Sequence, residues 1–148
     1  MTAEPTPERL GHLLNKVCGL RHRRMHELLD DLGLYRGQPS MLNALWAEDG
    51  MTHSLLAERL NKSPATITKT VKRMEKAGFV ERRPDPRDER LSRVYLTGAG
   101  RDIQSAVEDV WRAFEEQAFA GLGEEELAVL RGLLLCICHN IKREPRKG

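Results

Sequence analysis

The chain has 148 residues, enough for one well-buried core or for a small domain with a second helical layer. Hydrophobic residues at 40% and charged residues at 31% are ordinary for a globular protein, and aromatics at 5% exclude an exposed stacking platform for single strands. The net charge of +2 hides a division: residues 58–93 hold 11 Lys/Arg against 6 Asp/Glu, and residues 101–128 hold 2 against 8, which points one region at a polyanion and keeps another off it.

The first ten residues, MTAEPTPERL, lack a basic segment followed by an apolar run, and no stretch reaches the roughly 18 apolar residues of a membrane span. Cys18, Cys136 and Cys138 are an odd set in a chain with no export signal. A cytoplasmic protein without membrane association or disulfide framework is expected.

Residues 1–7 read as a loose lead-in. Leu10, Leu13, Leu14, Val17, Leu20, Met25, Leu28, Leu29 and Leu32 then fall at helical spacing from Glu8 to about Leu32, ahead of a stop at Gly33. Gly37, Gln38 and Pro39 open a second helix with Met41, Leu42, Leu45 and Trp46 on its apolar face, and Asp49-Gly50 ends it. Thr52 is placed to cap a short third helix ending near Leu60, although Leu55 stands where a capping box wants Glu or Gln. That departure marks the third helix as the least secure element, with Leu55 partly exposed.

Asn61-Lys62 form a turn, and Ser63-Pro64 is a strong helix start. Ile67, Val71 and Met74 make the buried stripe of this fourth helix, which Gly78 terminates. Phe79–Arg83 and Ser92–Leu96 read as two strands around the charged loop PDPRDERL. Thr97 opens a fifth helix with Val107, Val110, Trp111, Phe114 and Ala118 on one stripe. Glu124, Glu125 and Glu126 sit in the first turn of a sixth, where negative charge meets the positive helix end. Leu127, Leu130, Leu134, Ile137 and Ile141 continue it at heptad-like spacing, and the tail KREPRKG is basic. These stripes are too extensive for a lone lobe to cover.

Duplex DNA asks for cations at phosphates and short polar side chains at base edges. The fourth helix offers both. The N–H groups of its first turn, from Ser63 to Thr66, suit a phosphate, and Ala65 and Thr66 are small enough to let the helix sit deep in the groove. Lys69 or Arg73 is placed for base or phosphate contacts, and Lys72 and Lys76 for phosphate or solvent. An amphipathic helix keeps Lys and Arg in water in any case. The DNA reading gains from the next element, a hairpin whose tip carries Arg87 and Arg90. Asp85 or Asp88 can hold a tip arginine extended toward the electronegative minor groove.

Four runs in order, T-x-x-x-L-A-E-R-L, S-P-A-T-x-T, R-M-E-K-A-G-F-V-E-R and D-x-x-D-x-R-x-x-R-V-x-L-T-x-x-G, resemble the MarR family of bacterial transcription regulators. The resemblance covers roughly Thr52 to Gly100. It implies a mainly α fold of about six helices with a small β-hairpin wing. Residues 1–36 would be an N-terminal dimerisation helix, 37–97 a winged helix-turn-helix lobe, and 98–148 the C-terminal dimerisation helices. It further implies a homodimer on a pseudo-palindromic operator, with the helix from Pro64 as recognition helix and Arg87 as the wing arginine. Repression relieved by a small anionic or phenolic effector is the expected action. A winged-helix module that binds an acidic protein is the alternative.

Some members respond to thiol oxidation or zinc, and the chain has a candidate for each. Cys18 lies on the first helix near Lys16, Arg21 and His22, which makes it the redox candidate. A buried structural cysteine is the simpler reading, and of the two tyrosines, Tyr35 and Tyr95, the second belongs to a wing strand. His22 and His26 at i, i+4, and Cys136 and His139 at i, i+3, are two-ligand pairs, so no metal site is assigned. No cofactor or catalytic set is expected: the chain lacks a Gly-rich phosphate loop and a G-x-S-x-G turn.

Overall fold

The computed structural model describes residues 4–143, so part of the expected lead-in and of the basic tail lie outside the described residues. Among those described, the order is α1 (Pro7–Asp30), α2 (Gln38–Ala47), β1 (Met51–Thr52), α3 (His53–Leu60), α4 (Pro64–Ala77), β2 (Val80–Pro84), β3 (Ser92–Leu96), α5 (Gly98–Ala118) and α6 (Glu124–Lys142). This is the mainly α, six-helix chain with a hairpin wing that the sequence implies. None of the helices is long and apolar enough to cross a membrane. Two compact units divide at Arg112/Ala113.

Helix boundaries follow side-chain chemistry. Thr6 Oγ1 accepts the Arg9 amide and Pro7 follows, so α1 begins within what reads as lead-in. Gly37, at φ 84°, enters α2 through a left-handed conformation that favours glycine. Thr52 Oγ1 accepts the Leu55 amide at 3.2 Å, and Leu55 packs against the core. Half of a capping box therefore secures α3, against the expectation of a weak element. Gly78, at φ 84°, closes α4.

The core of the first unit gathers Leu34, Met41, Leu42, Leu45, Leu56, Ile67, Val71, Met74, Val94 and Val107, all essentially inaccessible to solvent. The buried stripe of α4 is the expected one, with buried Thr70 added, its hydroxyl donating to the Thr66 carbonyl. Strand order is β1-β3-β2, antiparallel throughout, with Val80 opposite Leu96 and Pro84 opposite Ser92. β1 is a third strand beyond the expected hairpin. Its two residues, Met51 and Thr52, are too short for an alternating pattern to betray.

The end of the sheet is locked to α5. Trp46 Nε1 donates to the Gly100 carbonyl at 2.8 Å, and the Thr97 amide donates to the Phe79 carbonyl at 3.0 Å. A Cβ on Gly100 would lie 2.1 Å from that Phe79 oxygen and 3.1 Å from its carbon. Both backbones are held by hydrogen bonds and cannot yield cheaply. Gly100→Ala is expected to cost about 2 kcal/mol and to lower the midpoint of a thermal melt by about 6 °C. An unchanged midpoint would show that the helix start can shift.

Not every apolar stripe is covered in the single chain. Leu10, Leu13, Val17 and Leu20 on α1 are exposed, and no residue of α6 is buried. Val129 is 62%, Leu133 59% and Ile141 77% accessible.

Candidate nucleic-acid interface

The N-terminus of α4 is built by Ser63. Its Oγ accepts the Thr66 amide at 3.2 Å and lies 2.9 Å from Thr66 Oγ1. Pro64 has no N–H, and the Ile67 amide already donates to the Ser63 carbonyl. The Ala65 amide is therefore the donor of this turn left for a phosphate oxygen, fewer than the sequence alone implies. Ala65, Thr66, Lys69, Lys72, Arg73 and Lys76 are all exposed on α4, as their helical positions require. Arg73 and Lys76 line a shallow cleft with Arg36 and Tyr35 from the segment before α2. Arg36 is a cation that sequence reasoning passed over, because nothing in its spacing ties it to α4.

The wing is braced from inside. Asp85 is 5% accessible. Its Oδ1 accepts the Arg87 amide at 2.7 Å and the Asp88 amide at 3.1 Å, and its Oδ2 takes Nε of Arg93 on β3. Arg93 Nη1 donates onward to the Gly50 carbonyl at 2.8 Å, joining loop, β3 and the turn before β1. The Arg93 guanidinium, followed by the Arg87 amide, holds the Asp85 carboxyl below the usual carboxylate range. Asp88 Oδ1 accepts the Arg90 amide at 3.0 Å.

This corrects the expected role of the acids. Asp85 or Asp88 was to hold a tip arginine by a salt bridge; instead both order the loop backbone, and the arginine that Asp85 pairs with is Arg93. The last arginine of the D-x-x-D-x-R-x-x-R run carried that signal. The guanidinium of Arg87 is exposed and enters no ion pair among the described residues, and the same holds for Lys69, Lys72, Arg73, Lys76 and Arg90. Arg90 lines a groove with Arg82, Arg83 and Glu75. Arg82 Nε donates to Glu75 Oε1 at 2.6 Å and so ties β2 to α4. Arg83 stacks over the Tyr95 ring at 4.7 Å while pairing with Glu81. The Arg82–Glu75 pair ties the wing to the helix, Arg83 and Arg93 are paired within the wing, and the unpaired cations stay exposed on α4 and the wing.

The sensing candidates are scattered. Cys18 is exposed in the single chain, which corrects the reading of a buried structural cysteine, and Cys136 and Cys138 are exposed as well. Among the described residues no three His, Cys, Asp or Glu gather around a metal position. A cavity of about 140 Å³ is lined by His22, Met25, His26, Ser40, Asn43 and Trp111, among others. The indole N–H of Trp111 is buried and finds no acceptor among the described residues. Sequence reasoning placed Trp111 on an apolar stripe and had no way to see its nitrogen stranded.

Residues 34–92, from the entry into α2 to the start of β3, match the MarR family. The HTH-type transcriptional repressor IacR of Pseudomonas putida is 33% identical over 132 residues, covering 87% of this chain and 77% of that protein. The uncharacterized HTH-type transcriptional regulator YwoH of Bacillus subtilis is 32% identical over 117 residues, covering 79% of this chain and 85% of its own. The crystal structure of wild-type MarR from E. coli, in its apo form, superposes with a TM-score of 0.78 at 26% identity, over 91% of this chain and 98% of that one.

Proposed function

The chain belongs to the MarR family and is a DNA-binding transcription regulator, not an enzyme; from that premise we propose that it is a homodimeric repressor of a pseudo-palindromic operator, released by a small anionic or phenolic effector. The observation that carries the DNA contacts is the set of exposed, unpaired cations on α4 and the wing beside internally paired Arg82, Arg83 and Arg93. In this reading the Ala65 amide and the Ser63 hydroxyl approach one phosphate. Thr66, Lys69 and Arg73 work in the major groove, Lys72 and Arg90 neutralise flanking phosphates, and Arg87 enters the minor groove. IacR is itself named a repressor, which supports that sign of control.

The exposed apolar faces of α1 and α6 support the dimer, since monomeric proteins rarely leave such contiguous faces in water. A twofold dimer reads half-sites about 34–36 Å apart, one helical turn of DNA. The effector reading rests on the Trp111 cavity. Its size is close to the ~150 Å³ that a benzene ring fills, its wall mixes Met25 and Leu29 with polar His22, Ser40 and Asn43, and a carboxylate or phenolate oxygen would take the stranded indole N–H.

Selection of bound genomic fragments should recover a shared inverted repeat, and duplexes without it should bind at least about tenfold more weakly. Equal binding to every duplex, or to none, would favour the protein-interaction module. Small aromatic acids should dissociate the complex. Trp111→Phe removes the donor, keeps most of the ring volume, and should raise the concentration needed by about tenfold. Unchanged release by Trp111→Phe would place the effector elsewhere.

A further inference from the structure

His22 and His26 face each other across one turn of α1. Their Nε2 atoms are 3.1 Å apart, and the rings meet edge to face at 84° with centroids 4.4 Å apart. Two neutral imidazoles at this separation share a single N–H, so one ring offers its proton and the other its lone pair. The same separation is what a chelated ion requires. Nitrogens bound at 2.0–2.1 Å lie about 3.3 Å apart around a tetrahedral ion and about 2.9 Å apart at a right angle. The observed distance falls between the two.

We propose that His22 and His26 chelate one divalent transition ion through their Nε2 atoms. The ligand set selects the class. Imidazole suits Zn²⁺, Ni²⁺ and Cu²⁺, whereas Mg²⁺ and Ca²⁺ require several oxygens, and no third His, Cys, Asp or Glu joins the pair among the described residues. The ion therefore keeps at least two open positions, filled by water. α1 supplies a rigid backbone for both ligands, and His26 is half-buried, so the chelate forms with little loss of side-chain freedom.

The surroundings set the strength. Arg23 and Arg36 line the same cleft and repel a dication, Arg24 is neutralised by Glu27 at 3.0 Å, and Asp30 adds a negative charge nearby. With charges of both signs and only two protein ligands, binding belongs in the micromolar range rather than at the strength of a closed structural site. The pair also lines the wall of the Trp111 cavity. The metal site stands on its own geometry and does not depend on that cavity holding an effector.

The test is calorimetric titration of the reduced, tag-free full chain with Ni²⁺ and Zn²⁺. One equivalent per chain is expected, with no heat from Mg²⁺ at the same concentration. His22→Ala and His26→Ala should each weaken this equivalent by at least about tenfold, since even a lost supporting group around a metal costs 10–100-fold. A Cys136→Ser/Cys138→Ser chain should bind as the parent does, which separates the pair from the thiols of α6. His22→Gln serves as a second variant that keeps helix propensity, and circular dichroism checks that each chain is folded. Absence of Ni²⁺ and Zn²⁺ uptake, or uptake that survives loss of either histidine unchanged, would overturn the proposal.

Discussion

Leu134→Glu in α6 is expected to turn a stable dimer into a monomer and to lower operator affinity by about a thousandfold. Leu134 is 38% accessible in the single chain, beside Leu130, Ile137 and Ile141 on the same face. Burying a leucine fully is worth about 2 kcal/mol, and a twofold interface counts every residue twice. Only the 38% of each leucine still exposed is left to bury, which is about 0.8 kcal/mol per residue and about 1.5 kcal/mol for the pair, roughly tenfold in association. The larger share of the loss comes from the two glutamates that the interface would have to desolvate, at several kcal/mol. The fold of the chain should survive, because no residue of α6 is buried in it. Sedimentation equilibrium would show the monomer, circular dichroism the retained helix, and mobility shift the lost operator binding. A variant that remains dimeric would move the interface off this face of α6.

The parts of this molecule that were legible in the sequence are those fixed by neighbours in the chain. Ser63-Pro64 to Gly78 delimits α4 because a cap, a proline and a left-handed glycine each act within one turn. Ile67, Val71 and Met74 had to be buried once the helix existed. Features that depend on distant partners were not legible. β1 exists only because Met51 and Thr52 lie opposite Val94 and Arg93. Arg93 and Arg87 look equivalent as letters, and only the fold decides that Asp85 neutralises the first and leaves the second free. The convergence of His22 and His26 was visible as spacing, but their ring orientations were not. The apolar stripe of α6 was legible as a stripe and stays uncovered in the single chain; the proposed dimer would cover it with a second copy.

Raising salt from about 50 to 200 mM should weaken operator binding by about 10³-fold or more, with a slope of about −0.9 per neutralised phosphate. Five cations per protomer, Lys69, Lys72, Arg73, Arg87 and Arg90, give a dimer ten, enough for the 6–10 neutralised phosphates that such a loss requires. Arg87→Ala removes one cation from each half-site. It should reduce the slope by about 2 and cost about 30–100-fold at low salt. Asp85→Asn separates charge from order. It makes the protein more basic, so charge alone predicts tighter binding. The Arg93 pairing and the Arg87 amide bond both favour the ionised carboxylate, so loss of that charge should loosen the loop and weaken binding instead. The folded carboxyl titrates below its ordinary value. Its contribution is therefore complete above the unfolded value, about 3.9, and is lost only as pH falls through the lowered one. At neutral pH the brace is fully formed in the parent, and Asp85→Asn should show hydrogen exchange at the Arg87 and Asp88 amides well above the parent's. Tighter DNA binding by Asp85→Asn would mean that the wing acts through net charge and not through the ordered presentation of Arg87.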